Sequence, residues 1–170
     1  MPYCLDSDVF IQAHRGYYAF DIVPGFWEAL VDWAENGLIS TPLPVYDELV
    51  PSSASQDVLA QWLKDNKSIM FVDVDQPIVD VYSNIANFVV ERYEPQHVQL
   101  FLQGADPWVI ACAYAHDITV VTMEKRKNET SNQRSGLISG RIKIPNVCEY
   151  FDVRCIDTFA LLRELGRSFR

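Results

Sequence analysis

The chain has 170 residues, 49% of them hydrophobic and 22% charged, with a formal net charge of −9. That size supports one unit, residues 1–170, with a substantial core. The acidic balance argues against a general nucleic-acid-coating protein, which is usually basic, and no apolar run reaches the length needed to cross a membrane.

The elements follow in chain order. Tyr3 to Leu5 predicts a short buried strand, with Asp6 at its carboxyl end. Ser7, in the capping position, or Asp8 opens a helix to about Arg15. An aromatic loop, Gly16 to Ile22, leads to a helix that starts at Pro24, carries Phe26, Trp27, Leu30, Val31 and Trp33 at helical spacing, and ends at Asn36-Gly37. Leu38 to Ser40 is short, so only a minor strand is expected. Val45 to Val50 predicts a brief helix after Pro42 and Pro44. Pro51 to Ser55 reads as a surface loop, Gln56 to Asn66 as a helix and Ile69 to Val74 as a strand.

A long helix is expected from Pro77 to Arg92, then a short one at Val98 to Leu102. Asp106-Pro107 predicts another start, with Asp106 as its cap, for a helix apolar nearly all round. Thr119 to Met123 predicts a strand. Lys125 to Ser139 has no hydrophobic period and reads as a long exposed loop. Ile142 to Ile144 and Val153 to Ile156 predict strands, with a short helix or turn at Pro145 to Phe151 between them. Asp157 caps a last helix, Thr158 to Leu165. Strands alternate with helices throughout, so the expected fold class is α/β, a parallel sheet with helices on both faces.

Cys4, Cys112, Cys148 and Cys155 all lie in apolar stretches with no C-x-x-C spacing. They read as buried thiols of a reducing compartment. His14, His97 and His116 are not spaced to complete a zinc site with them. No basic leader precedes the first strand, so the expected location is the cytoplasm.

Acids carry the candidate chemistry. Asp6, Glu48, Asp106 and Glu124 each stand at a strand end or in the first turns of a helix. In a parallel sheet those positions share one edge, where ligands bind. Each acid has a plainer reading: Asp106 as a cap worth ~1 kcal/mol, Asp8, Asp47 and Glu48 as complements to helix dipoles at ~0.3–1 kcal/mol each. Gathered together, four carboxylates would repel and some would protonate. A hard divalent cation, Mg²⁺ or Mn²⁺, relieves that repulsion. Such a centre suits phosphodiester hydrolysis with one ion, or with two ~4 Å apart. Ser7 and Thr122 are candidates to orient the acids or a water, with cap and strand roles as the alternative. Lys125, Arg126, Lys127, Arg134, Arg141 and Lys143 follow Glu124 and form a basic segment that could grip RNA phosphates, or a solvated loop. Tyr17, Tyr18 and Phe20 are aromatics suited to base stacking or to packing.

Four segments resemble the ordered motifs of PIN-domain nucleases. These are Tyr3-Cys4-Leu5-Asp6-Ser7-Asp8, Val45-Tyr46-Asp47-Glu48-Leu49, Gly104-Ala105-Asp106-Pro107-Trp108-Val109-Ile110-Ala111 and Val120-Val121-Thr122-Met123-Glu124. The tail, Lys143 to Cys148 and Asp157 to Phe159, resembles a PIN-like subfamily of prokaryotic toxin type. The resemblance implies a Rossmann-like α/β/α sandwich with a central parallel sheet. It implies a metal-dependent endoribonuclease whose catalytic and metal-binding acids are Asp6, Glu48, Asp106 and Glu124, with Ser7, Asp8 and Thr122 behind them. It also implies an RNA substrate, a cognate antitoxin and possible homodimerisation. Two positions depart from the family pattern: Asp8 where Asn is common, and Glu124 where Asp is usual.

Two other readings stay open. Asp6-Ser7-Asp8 also fits the first motif of haloacid-dehalogenase-type phosphatases, with Asp6 as nucleophile. That family also needs a Lys and paired acids at a later strand end. The third reading is a non-catalytic binding module using Trp27, Trp33 and Trp62.

Overall fold

The computed structural model describes residues 2–51 and 57–169. The elements run β1 (Tyr3–Leu5), α1 (Ser7–Arg15), α2 (Pro24–Glu35), β2 (Ile39–Pro42), α3 (Leu43–Leu49), α4 (Val58–Asp65), α5 (Lys67–Met70) and β3 (Phe71–Val72). They continue with α6 (Gln76–Arg92), α7 (Pro95–Gln103), α8 (Asp106–His116), β4 (Thr119–Val121), β5 (Thr130–Ser131), β6 (Ile138–Ser139), α9 (Ile144–Tyr150), β7 (Cys155–Ile156) and α10 (Thr158–Glu164).

Five strands form one sheet in the order β3-β2-β1-β4-β7. Every pairing is parallel. β1 lies at the centre, with Cys4 opposite Ser40 on one side and Val120 on the other. Both central strands are buried along their whole length, as a sheet covered on two faces requires. The two faces are visible from β1 alone. Cys4 points to α8, its thiol donating to the Val109 carbonyl at 3.6 Å. Tyr3 points the opposite way, and its hydroxyl donates to Glu164 of α10 at 2.8 Å. Helices therefore flank a central parallel sheet, and the expected α/β/α architecture holds.

The chain winds from β1 outward through β2 to β3, then returns to place β4 on the other side of β1. That reversal opens a crevice beyond the carboxyl ends of β1 and β4. α8 forms its floor. It is sheathed on the sheet by Val109, Ile110, Ala111, Cys112 and Ala113, all buried.

Several local expectations change. β2 is a full member of the sheet, since Ile39 and Thr41 are buried between its neighbours. The strand expected over Ile69 to Val74 is reduced to Phe71–Val72. Asn66 closes α4 with its side-chain amide on the Trp62 carbonyl at 2.8 Å, and its own carbonyl then starts another turn by accepting from Ile69 and Met70. That turn drives Met70 fully into the core. Residues 142–144 form no strand; Ile144 begins α9 instead. Residues 52–56, which hold most of the expected surface loop and the start of the next helix, lie outside the described residues.

The segment after Glu124 is exposed, as expected, but it is not featureless. β5 and β6 pair as a small antiparallel hairpin. The buried Asn146 clasps Lys127 through both backbone groups, accepting from its N–H at 2.9 Å and donating to its carbonyl at 2.7 Å.

Among the described residues no helix is long and apolar enough to cross a membrane. Trp27 and Trp33 are buried. Trp27 stacks on Phe20 with centroids 4.0 Å apart and meets Trp62 edge-on at 4.9 Å. Trp27 and Trp33 thus serve packing, while Trp62 is half-buried and lines a surface groove with Phe20 and Trp27. Tyr18 is likewise stacked on Phe26 at 4.5 Å, which leaves Tyr17 as the exposed aromatic of its loop.

Candidate active site

Asp6 leaves β1 in extended conformation and is itself the N-cap of α1, where its Oδ1 accepts from the Ser7 N–H at 2.7 Å. This corrects the expected cap, Ser7. The serine hydroxyl is freed by that exchange and turns to Glu48 Oε1 at 3.0 Å. Asp6 is 2% exposed. Its Oδ2 accepts from the Thr122 hydroxyl, at the end of β4, at 2.9 Å. Burial first, and then the charges of Asp8 and Asp106, push Asp6 well above the usual carboxylate range.

Thr122 also accepts from the backbone N–H of Glu124 at 3.1 Å, so one hydroxyl ties the β1 acid to the turn after β4. Asp8, in the first turn of α1, reaches the turn after β4. Its two oxygens lie 2.9 and 3.1 Å from the Met123 N–H. Burial raises the Asp8 pKa, the Met123 N–H opposes that rise, and the Glu124 charge adds to it.

Glu48 arrives from α3. Its Oε2 accepts from the Ala105 N–H at 2.9 Å, just ahead of α8. Ala105 is already helical (φ −80°, ψ −18°) and is the N-cap of α8, with no side-chain cap. The expected capping role of Asp106 is therefore wrong, and its carboxylate is not spent there. Asp106 is half-buried. Burial, then the Glu124 and Glu48 charges, push it up to about 7, with Arg141 pulling the other way.

Glu124 is held from the far side. The Lys143 ammonium lies 2.6 Å from its Oε1, and the Ile144 N–H donates to its Oε2 at 2.9 Å. Arg141 stands 4.0 Å from Oε1.

The four expected acids thus act on one another across the switch point. They do not form a ready-made cage: among the described residues, no three His, Cys, Asp or Glu side chains are arranged to hold a metal ion. Asp8, Glu48 and Glu124 are each engaged by N–H donors. The donor chemistry nonetheless fits a hard divalent cation, because the set is all oxygen and Asp6, Asp8 and Asp106 are raised by burial and then by neighbouring carboxylates. Mg²⁺ commonly takes only one or two carboxylates, with waters and substrate phosphates completing its shell.

The basic residues divide into two groups. Arg141 lines a cleft of about 280 Å³ with Asp106, His97, Leu100, Phe101 and Ile142. Lys125 and Arg126 turn to Asp157 (3.5 Å) and Glu149 (2.7 Å), away from the acids. Lys127 and Arg134 make no ion pair with the four acids among the described residues; Lys127 folds against Gly140, and Arg134 is exposed on the hairpin turn. Gly140 has a φ of +95°, and any side chain there would strike the Lys127 ammonium.

Sequence reasoning missed Asn146 and His97. A single amide inside the apolar run Ile142, Ile144, Val147, Cys148 was a usable signal for the first. Nothing local marked the second. Asp6 is buried with both oxygens hydrogen-bonded, so those bonds must yield before it attacks phosphorus, as the phosphatase reading asks, or holds an ion.

Comparisons with known proteins agree with this architecture. The crystal structure of VapBC2 from Rickettsia felis, bound to a DNA fragment from its promoter, superposes with a TM-score of 0.50 at 18% identity, covering 73% of this chain and 88% of that one. The crystal structure of FitAcB from Neisseria gonorrhoeae superposes with a TM-score of 0.51 at 15% identity, covering 91% of this chain and 96% of that one. At such identities these likenesses carry the fold, which is PIN-like. No curated protein matches the sequence. The family described as "Domain of unknown function (DUF4411)" matches residues 3–169, so the chain belongs to that family and carries a PIN-like fold.

Proposed function

We propose that the protein is a divalent-metal-dependent endoribonuclease, a single PIN-like unit, and the toxin of a cytoplasmic toxin–antitoxin pair. The observation that carries the reading is the crowding at the switch point. Asp6, Glu48, Asp106 and Glu124 come from four separate elements, and Asp106 is pushed up to about 7 by burial and by its acidic neighbours. Such repulsion costs stability unless a cation offsets it. PIN-domain nucleases, which the four motifs resemble, supply the reaction class and the antitoxin partner.

Asp6 and Asp106 are the acids assigned to hold Mg²⁺ or Mn²⁺, with Glu48 and Glu124 completing the centre. When bound, the ion supplies the charge neutralisation and Lewis acidity that phosphodiester hydrolysis needs. The remaining work belongs to the chain. Thr122 and the Ser7 N–H fix the Asp6 carboxylate. Glu48 links α1 to the start of α8 through Ser7 and Ala105, and so sets the position of Asp106. Arg141 presents an exposed guanidinium beside Asp106, suited to bind an RNA phosphate.

The test is incubation of purified protein with single-stranded RNA and Mn²⁺, with and without chelator. Cleavage that stops with EDTA and with Asp6→Asn is expected. Cleavage that survives both contradicts the reading.

A further inference from the structure

We propose that Lys143 takes the place of a second metal ion, making this a one-ion centre from which Glu124 is withdrawn as a ligand. The inference rests on the metal-dependent reading above and goes further, since that reading is compatible with one ion or two.

Glu124 is 11% exposed, and both its oxygens are engaged: Oε1 by the Lys143 ammonium at 2.6 Å, Oε2 by the Ile144 N–H at 2.9 Å. An ion binding Glu124 would have to displace a charge-assisted hydrogen bond at short range. Ile142 and Ile144, on either side of Lys143, are 1% and 0% exposed, so its backbone is pinned in the core. Exchanging Lys143 for an ion would give up this short pair and leave the largely buried ammonium without its partner.

The charge pattern agrees. Five acids (Asp6, Asp8, Glu48, Asp106, Glu124) are gathered here by the bonds of Ser7, Ala105, Thr122 and Met123. Two ions would neutralise them by four charges. One ion with Lys143 and the more distant Arg141 supplies the same total. A lysine ammonium offers a fixed charge and three donors but cannot ligate water as a metal does. It can therefore hold Glu124 without providing a second Lewis acid. The longer Glu at this position, rather than Asp, gives the carboxylate reach toward the 142–144 segment.

Calorimetric titration of the full-length protein with Mn²⁺ tests this. The wild type is expected to bind one Mn²⁺ per chain, and Lys143→Met, which releases Glu124, two. Lys143→Arg should stay at one. Should Lys143→Met fail to fold, the charge-neutral double variant Glu124→Gln/Lys143→Met removes the pair together; it should bind one Mn²⁺ with affinity within about threefold of wild type, whereas loss of a true ligand costs about tenfold or more. Two ions bound by the wild type, an unchanged single ion in a folded Lys143→Met, or a tenfold loss in the double variant each overturn the one-ion inference while leaving the nuclease reading intact. Absence of any Mn²⁺ binding by the wild type overturns both.

Discussion

Thr122 donates its hydroxyl to Asp6 at 2.9 Å while accepting the Glu124 N–H at 3.1 Å. A single residue just past β4 thus fixes the acid that ends β1 and the turn that carries Glu124, although it lies 116 positions from Asp6. Replacing it by Val keeps the shape and removes both bonds. Thr122→Val should lower stability by ~1–3 kcal/mol, or about 2–12 °C in Tm for a chain of this size. RNA cleavage should fall about tenfold or more, and Thr122→Ser should restore most of both. Differential scanning calorimetry with a cleavage assay reads the pair. An unchanged Tm and rate for Thr122→Val would mean that the hydroxyl organises nothing.

The pH dependence of stability follows from Asp106. Its pKa is raised from 3.8 to about 7 by burial, then by the Glu124 and Glu48 charges. Between those values the folded state binds more protons than the unfolded chain, so this group's stabilisation is full at low pH and is lost as pH rises toward about 7. Tm of the metal-free protein should therefore fall from about pH 5 to about pH 8. Metal binding requires the deprotonated acid, so millimolar Mn²⁺ should raise Tm more at the higher pH. A metal-free Tm that climbs over this range, or one indifferent to Mn²⁺, goes against the account.

Much of this centre was legible in the sequence, and the reasons are local. Tyr3 to Leu5 and Ile118 to Val121 are largely apolar runs that stop at polar residues, so both central strands and the edge they share could be read directly, although the strand expected over Thr119 to Met123 ends at Val121. The α8 helix was equally plain, because Asp106-Pro107 opens a run that is almost wholly apolar. Capping was less legible. Asp6 and Ser7 are both good caps; Asp6 takes the role, and the Ser7 hydroxyl bonds Glu48, 41 residues away. Asp106 lost its expected cap role because Ala105 already has helical torsions. The Lys143–Glu124 pair was read only as two members of a basic segment and an acidic set. Their approach depends on how the chain between them folds back, which no periodicity records.

Asn146 offers a separate check on that fold-back. Its amide makes two backbone hydrogen bonds to Lys127 from a buried position. Asn146→Ala leaves those backbone groups unpartnered and should cost ~1–3 kcal/mol. It should also quicken proteolytic cutting within residues 125–139, read by mass spectrometry after limited digestion. Equal cutting rates in variant and wild type would show that the clasp does not hold the segment.

Arg141 and Arg126 should behave differently. Arg141 lines the cleft beside Asp106, whereas Arg126 is paired with Glu149. Arg141→Ala should weaken single-stranded RNA binding and lower the salt-dependence slope by about 0.7, and Arg126→Ala should leave both nearly unchanged. Fluorescence anisotropy across a salt series measures both. Equal losses for the two variants would contradict the assignment of the cleft as the RNA path.

The most direct measurement is anomalous diffraction from crystals soaked in Mn²⁺. The account expects one peak per chain, about 2–2.5 Å from a carboxylate oxygen of Asp6 or Asp106, with Glu124 still on Lys143. No peak in the crevice, or one bound only at sites away from these acids, would contradict it.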